Sequence, residues 1–546
     1  MSSLLEGQGN RELLELEDQI ERLLRRSMQT YINKEHKKIS QPRHLQHALN
    51  KDTIRRLFCQ YKASLASWQN IDVDELCNEV HQNYIIVLAI LIIFRNGRTI
   101  FELRNNGVSD AKLPLKYLGD DSPEGLQLSK EPDTTLVCFR NPVWSRQTKI
   151  TICSDTQWEL NVPYMKMGTN FAPEHREFPP DTVLPWCKPE VNHPSTSKGS
   201  AFEEGYGGYS KVQWVHIHPK YHGFREIVNK IGLGISNDFA LKILDPERDK
   251  DLEKMYLNEI KQLKSFNGTI ARHLVTLLAT FTHDDKRHFL FPWAECSLYK
   301  YWDTQQTKPW NRDDVRWFSK QLLGIVEAVQ AIHCPPHIPH QYGRHGDLKP
   351  DNILWYKPYK NDPKGILVVS DMGFTVAHRT WSRSKDRPSA VARTPDYRPP
   401  EMDTKDSLVS RKYDVWTLGC TFLEMLTWFL GGKEERKEFK EDRKTIEPKY
   451  GGYSPTFFTL SGSVGRSEPE ANINPSVLNW MSKIRSHKYQ SQFTNDVVNV
   501  IQKHMILIDP DTRADTELLK NEFTEINKKC QSDLKYCTSR TPQNDA

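Results

Sequence analysis

A short polar loop constrains this chain more than any other stretch. Residues 345–352 read His-Gly-Asp-Leu-Lys-Pro-Asp-Asn, and a continuous apolar run follows them. Because Pro350 cannot continue a helix, the pattern predicts a rigid loop that leads into a buried strand. A carboxylate, an ammonium group and an amide lie within six positions, at Asp347, Lys349 and Asn352. Such a loop brings together three parts that phosphoryl transfer requires: a base, a cation and an oxygen ligand for a metal.

Candidate nucleotide-binding residues precede this loop. Glycines near residue 205 would let backbone amides approach phosphates without interference from a Cβ atom, although glycine clusters more often mark turns. The members of this cluster are Gly205, Gly207, Gly208, Ser210 and Val212. Lys242 ends an apolar strand, and Glu259 lies on a helix predicted over residues 252–266. A single lysine or glutamate is ordinarily solvated surface, but the order of loop, strand lysine and helix glutamate favours a phosphate site.

Two further segments complete the candidate site. Asp371 follows a strand predicted over residues 366–369 and stands before a glycine, where a carboxylate is able to hold Mg²⁺. Upstream, a strand predicted over residues 288–293 runs into Trp293 and Ala294.

Together these segments resemble the eukaryotic protein kinase superfamily in its serine/threonine form, whose catalytic loop reads His-Arg-Asp-Leu-Lys-Pro-x-Asn. The Pro-Pro-Glu that ends at Glu401, the Asp-x-Trp-x-x-Gly that begins at Asp414, and Arg513 match further family motifs in family order. The arrangement also resembles kinase-domain proteins of filamentous fungi. The resemblance implies an α+β, bilobal fold with a small β-rich lobe and a large helical lobe.

The resemblance also implies a role for each residue. Asp347 would be the catalytic base for a Ser or Thr hydroxyl of a protein substrate, and Lys349 would steady the moving phosphoryl group. Lys242, oriented by Glu259, would bind ATP under the glycine loop. The remaining implied roles are an adenine-binding hinge at Trp293 and Ala294 and Mg²⁺ ligation by Asn352 and Asp371. The implied cofactors are therefore ATP and Mg²⁺.

One departure from the family pattern has consequences. Gly346 stands where the family has an arginine, and that arginine needs a phosphate on the activation segment to balance its charge. We therefore expect activity without activation-segment phosphorylation. The same His-Gly-Asp occurs in small-molecule phosphotransferases that resemble aminoglycoside and choline kinases, but those usually lack Lys349 and the later motifs. A pseudokinase, acting as a scaffold on the same fold, is the other alternative, although Lys242, Asp347, Asn352 and Asp371 are all present.

The chain divides into four predicted parts. Residues 1–186 form a smaller, mainly helical domain of unknown function, and a linker with two prolines occupies residues 187–200. The kinase domain covers residues 201–525, with an irregular insertion at about 431–472, and a frayed tail follows from 526 to 546. Inside the first domain, the pattern predicts helices over residues 11–32, 45–66 and 73–94, although the β-branched residues between 85 and 93 leave a buried strand open as an alternative. Short strands are predicted there at 99–103, 135–139, 149–153 and 158–162.

Composition adds limits on location and partners. The 75 basic and 70 acidic residues give a net charge of +5, which offers no reason to expect nucleic-acid binding. None of the ten cysteines forms a Cys-x-x-Cys pair, so reduced thiols in a cytoplasmic or nuclear protein are expected. The N-terminus has neither the basic nor the apolar region of a signal peptide. The apolar run over residues 84–94 is shorter than the ~20 residues of a membrane helix.

Overall fold

The computed structural model describes residues 2–538 with internal gaps. The gaps are residues 27, 31–37, 41, 120–121, 123, 187–204, 208–209, 234–235, 245–250, 266–270, 306–310, 336–341, 358–361, 373–375, 379–394, 405–408, 448–451 and 462–469. The helices are α1 (Ser2–Arg26), α2 (Pro42–Ala48), α3 (Lys51–Ser64), α4 (Val73–Asn83), α5 (Ile85–Ile93), α6 (Ile100–Asn105), α7 (Arg146–Thr151), α8 (Gln157–Leu160), α9 (Arg225–Lys230), α10 (Asp251–Ser265), α11 (Leu298–Thr304), α12 (Arg312–His333), α13 (Lys412–Asp442), α14 (Pro475–Arg485), α15 (Gln492–Val500), α16 (Thr516–Ser532) and α17 (Leu534–Thr538).

The strands are short and belong to several sheets. They are β1 (Met28–Thr30), β2 (Lys38–Ser40), β3 (Leu115–Tyr117), β4 (Leu126–Leu128), β5 (Glu174–Glu177), β6 (Gly205–Gly207), β7 (Ser210–His216), β8 (Asp238–Leu244), β9 (Ala279–His283), β10 (Lys286–Pro292), β11 (Cys296–Ser297), β12 (Tyr342–Arg344), β13 (Ile353–Tyr356), β14 (Ile366–Val369), β15 (Val376–His378), β16 (Thr445–Glu447), β17 (Gly452–Ser454), β18 (Phe458–Ser461) and β19 (Glu470–Ile473).

The N-terminal helices enclose an apolar core of their own, and α5 is buried within it. The single helix predicted over residues 73–94 is wrong, because α4 and α5 meet at Tyr84 with a bend of 100°. The carboxylate of Asp110 accepts hydrogen bonds from the backbone N–H groups of Ile86 (3.1 Å) and Val87 (2.9 Å). This cap stabilises a new helix start at that point. Across the described residues, no single helix has the length and apolar character to cross a membrane, although α4 and α5 together pass that test as a bent pair.

The four strands predicted between residues 99 and 162 are also wrong. The structure has helical turns in all four places, namely α6, a 3₁₀ turn at Val137–Arg140, α7 with the π-helical turn Ile152–Thr156, and α8. Their β-branched residues favoured strands, but local capping favours helices. For example, the Ser145 hydroxyl accepts the backbone N–H of Thr148 at 3.1 Å and begins α7. The other prediction, a mainly helical N-terminal domain, agrees with these elements.

The small lobe is built on a six-stranded sheet in the order β5-β9-β10-β8-β7-β6. All neighbours are antiparallel except β5, which pairs with β9 in parallel. Strand β5 belongs to a segment, residues 164–186, that we call the strap. The strap also bridges to the sheet region at its two ends, from Met165 to His222 and from Trp186 to Ile217. Its apolar side chains pack in the core of the lobes, and the predicted linker after it lies outside the described residues.

The large lobe is mainly helical. Helix α12 packs against α16, and each contacts the buried helix α13 through an aromatic pair, Phe318 with Phe429 and Phe523 with Phe422. The irregular insertion predicted from residue 431 is wrong in its first part, because α13 continues to Asp442 beyond a break at Gly432, whose φ of 78° suits glycine. Hairpins β16–β17 and β18–β19 follow. The frayed tail predicted from residue 526 is also wrong up to Thr538, because α16 and α17 are helical and bury Cys530 and Tyr536. The nine described cysteines are free thiols.

Candidate active site

A cavity of about 670 Å³ lies between the two lobes. Strands β7, β8 and β10 contribute one wall, helix α10 contributes another, and the segments around residues 352 and 371 form the floor. Its lining residues are Val212, Ala240, Lys242, Glu259, Leu263, Val275, Phe291, Pro292, Trp293, Ala294, Glu295, Cys296, Ser297, Lys300, Asp351, Asn352, Leu354, Ser370 and Asp371. The cavity thus combines an apolar slot with one end that carries ammonium, carboxylate and amide groups, the mixture that small-molecule sites use.

Lys242 joins two acidic side chains in this cavity. Its Nζ atom lies 2.8 Å and 3.1 Å from the two carboxylate oxygens of Glu259 on α10, and 3.3 Å from Oδ1 of Asp371. Burial alone would lower the pKa of Lys242, but the charges of Asp371 and Glu259 outweigh it and raise that pKa above its ordinary value. Lys242 therefore keeps its positive charge at neutral pH.

Asp371 owes its position to an unusual backbone conformation. It has a φ of 63°, directly after the buried strand β14, and this turns the chain at the edge of the cavity. The neighbouring Met372 is fully buried. Its flexible side chain packs in the apolar core of the lobes. The segment is fixed from the other side, because Ser370 donates both its backbone N–H (2.8 Å) and its hydroxyl (3.0 Å) to the carbonyl oxygen of Asn352.

The predicted glycine loop is described in part. Gly205 and Gly207 lie on β6 and Ser210 on β7, which pair with each other, whereas Gly208 lies outside the described residues. Val212 lines the cavity. Trp293 and Ala294 line the same cavity, at the connection between β10 and α11.

Asp347 is not among the residues that line the cavity, but its side chain is held by two neighbours. The Lys349 ammonium lies 2.7 Å from Oδ2 of Asp347, and the side-chain amide of Asn352 donates to the same oxygen at 2.9 Å. Asn352 also donates to the backbone carbonyl of Asp347 at 2.8 Å. These bonds close the loop and fix the carboxylate. They also leave Oδ1 of Asn352 as the atom of that side chain that suits a cation.

A buried aspartate fixes the backbone of residues 345–346 by hydrogen bonds. Asp414, at the start of α13, accepts the backbone N–H groups of His345 (2.7 Å) and Gly346 (2.9 Å). It also lies 2.8 Å from Nε2 of His333 at the end of α12. Burial would raise the pKa of Asp414, but the His333 contact and the backbone donors keep it below its ordinary value. Gly346 has a φ of 83°, a conformation that its missing Cβ permits.

Two further residues from the predicted motifs, Glu401 and Arg513, contact each other. Both guanidinium nitrogens of Arg513 contact the carboxylate of Glu401 at 2.7 Å, and both side chains are buried. A bidentate pair of this kind has a fixed geometry. It ties residues 399–402 to the end of the large lobe.

Some residues of this region were missed by the sequence reasoning. His333 contacts Asp414 across 81 positions of sequence, and no local pattern marks it. Cys296, Ser297 and Lys300 line the cavity directly after the predicted hinge, so their proximity in sequence was an available signal. Among the described residues, no group of three or more His, Cys, Asp or Glu side chains is arranged to hold a metal ion.

Comparisons with known proteins identify the family. The family model of the protein kinase domain matches residues 227–523, which is more than half of the chain. A probable cyclin-dependent serine/threonine-protein kinase of Dictyostelium discoideum is 24% identical over 296 residues, covering 51% of this chain and 18% of that protein. Human cyclin-dependent kinase-like 4 is 27% identical over 186 residues, covering 34% of this chain and 43% of the relative. Rat cyclin-dependent kinase-like 2 is 27% identical over 185 residues, covering 34% and 32%.

The fold, the cleft and the matched model together define the class of this protein. The chain belongs to the protein kinase family. It spans less than half the length of each of the three relatives described above.

Proposed function

We propose that the chain is an ATP-dependent protein kinase that transfers the γ-phosphoryl group of ATP to Ser or Thr hydroxyls of protein substrates. The observation that carries the proposal is that four charged side chains and one amide come together at one cleft. Lys242 contacts Glu259 and Asp371, while Asn352 lines the same cavity and holds Asp347. These groups are a phosphate-binding cation, oxygen ligands for a metal and a fixed base.

Each residue has a defined task in this reaction. Lys242, held by Glu259, binds the phosphates of ATP. The apolar slot between Val212 and Trp293 binds the adenine ring. Asp347 accepts the proton of the attacking hydroxyl as the new P–O bond forms and the bond to ADP breaks. Lys349 lies 2.7 Å from Asp347 and offsets negative charge on the phosphoryl group during transfer. Positioning and electrostatics supply most of the catalysis in such reactions.

The oxygen set fits a hard divalent cation. Asp371 offers a carboxylate and Asn352 an amide oxygen, the ligand types that Mg²⁺ prefers. We propose that these two residues hold Mg²⁺, which when bound neutralises charge on the β- and γ-phosphates.

Transfer of labelled γ-phosphate to dephosphorylated casein tests the proposal. Asp347→Asn removes the base and keeps the shape of the side chain, so we expect transfer to fall by ~10²- to 10⁴-fold. The same variant should still show a Mg²⁺-dependent rise in melting temperature with ATP, because Lys242, Asn352 and Asp371 remain. Asp313→Asn, on the exposed side of α12, is the matched control and should transfer phosphate at the wild-type rate.

Two other outcomes would replace the proposal. ATP binding without transfer to any acceptor would identify a pseudokinase that acts as a scaffold. Transfer to an aminoglycoside or to choline, but not to casein, would identify a small-molecule phosphotransferase.

A further inference from the structure

A buried charge network joins the C-terminal part of α13 to the segment before Glu401. The Arg443 guanidinium donates to Oε1 of Glu424 at 2.5 Å, and the Tyr397 hydroxyl donates to Oε2 of the same carboxylate at 2.8 Å. Arg443 and Glu424 are 1% and 2% exposed. Glu424 therefore serves as a bridge, because each of its oxygens holds a different part of the chain.

Arg443 itself is held rigidly. Its guanidinium carbon lies 4.1 Å and 4.0 Å from the ring centroids of Phe439 and Phe457. Its Nε donates to the Pro455 carbonyl at 3.2 Å, and the Asn474 side chain donates to the Arg443 carbonyl at 3.0 Å. Because a guanidinium is planar, stacking and a directed hydrogen bond fix its orientation more firmly than a lysine ammonium would be fixed.

A second contact joins the same two segments. Lys440, one helical turn before Arg443, lies 3.1 Å from Asp396. The charge of Asp351, in the catalytic loop, also acts on both Lys440 and Tyr397. In the proposed reaction a protein substrate presents its hydroxyl to Asp347, four residues before Asp351 in the same loop.

We propose that Arg443 is a positioning residue for the protein substrate: through Glu424 and Tyr397 it holds residues 395–401 in place beside the catalytic loop. The inference rests on the proposed function for its kinetic consequence. Arg443 touches neither the nucleotide cavity nor Asp347, so its effect falls on the protein substrate and spares ATP.

The test uses the full chain and conservative variants. Arg443→Lys keeps the positive charge beside Glu424 but loses the planar contacts, and Tyr397→Phe removes one hydroxyl. Arg436→Lys is the matched control, because Arg436 is 3% exposed on the same helix and contacts Asp303 at 3.2 Å. For each variant we would measure kcat and KM for casein, KM for ATP, and hydrogen exchange of the peptide that contains residues 395–402.

We expect Arg443→Lys to raise KM for casein about tenfold, the factor that corresponds to 1.4 kcal/mol, and to leave KM for ATP within about twofold. Tyr397→Phe should act similarly, and the double variant should be little worse than either single variant, because both residues act through one carboxylate. Exchange of residues 395–402 should become faster in both, with Arg436→Lys unchanged.

Equal changes in Arg436→Lys, additive effects of the two substitutions, or a parallel loss of ATP affinity would overturn the proposal. If Arg443→Lys does not fold, Tyr397→Phe alone decides, since it keeps the ion pair. If the wild type transfers no phosphate, the proposed function fails. In that case hydrogen exchange of residues 395–402 tests the positioning role by itself. Unchanged exchange in both Arg443→Lys and Tyr397→Phe would refute that role.

Discussion

Replacing Trp186 by alanine should destabilise the kinase unit although the residue lies outside the matched kinase motifs. Trp186 ends the strap and is 2% exposed. Its ring lies 6.3 Å from that of Phe281 on β9, and its backbone bridges to Ile217 after β7. Removing the indole would leave a cavity against the six-stranded sheet, where the surrounding backbone is fixed by hydrogen bonds on both sides.

The expected size of the effect follows from burial. Large-to-small substitution of a buried aromatic costs about 3–5 kcal/mol, because the transfer free energy of the ring and the cost of the cavity add. That is a large share of the 5–15 kcal/mol that typically separates folded from unfolded domains. For a unit of roughly 300 or more residues, it corresponds to a fall in melting temperature of roughly 4–8 °C.

Scanning calorimetry with and without ATP and Mg²⁺ identifies which unfolding transition belongs to the nucleotide-binding unit, because a ligand raises the melting temperature only of the unit that binds it. Trp186→Ala should lower the nucleotide-sensitive transition. Trp144→Ala is the matched control: Trp144 is 4% exposed and packs 5.1 Å from Phe139 in the separate N-terminal core. It should lower a transition that ATP does not affect. A nucleotide-sensitive transition within about 2 °C of wild type in Trp186→Ala, or equal effects of both variants, would refute the reasoning.

Two further predictions concern phosphorylation and pH. Because Gly346 places no positive charge before Asp347, phosphatase treatment should leave transfer to casein unchanged, and a loss of activity would contradict the inference. Burial lowers the pKa of His222, His273 and His288 to about 4. The unfolded chain, with a histidine pKa near 6.5, therefore binds more protons between pH 6.5 and 4, and stability should fall as pH falls through that window by roughly 3 kcal/mol per histidine. Melting temperature against pH measures this, and His288→Gln should make the slope shallower.

The residues of the candidate site could be found from sequence because each lies on or next to a regular element. Lys242 lies on strand β8, Glu259 lies on helix α10, and Asp371 follows the buried strand β14. Their convergence, with Lys242 and Asp371 in contact across 129 positions, could be inferred only from the order of the motifs. Periodicity alone carries no information about which distant elements meet.

The strap and the extension of α13 could not be found in this way. Strand β5 reads Glu-His-Arg-Glu and has no apolar alternation, because it lies at the sheet edge and pairs through its backbone. In the extension, Arg436, Phe439 and Arg443 recur at steps of three and four residues, which marks one helical face. Because two of these three residues are arginines, a search for apolar stripes does not detect this helical face. In the structure the arginines are paired and stacked, so the face is buried and belongs to the core.

Substitutions of cleft residues and substitutions of packing residues should therefore have different effects. In the proposed reaction Asp347 and Lys242 act on the reacting groups, so replacing either should lower phosphate transfer while the fold remains. Trp186 and Arg443 act through packing, so replacing them lowers stability or substrate affinity while the chemistry of the cleft remains. A motif match reports only the first group. In this chain, two elements hold the kinase motifs in place. One is the strap, which ends before the residues that the family model matches. The other is the part of α13 after Gly432, whose charged composition gives no apolar pattern.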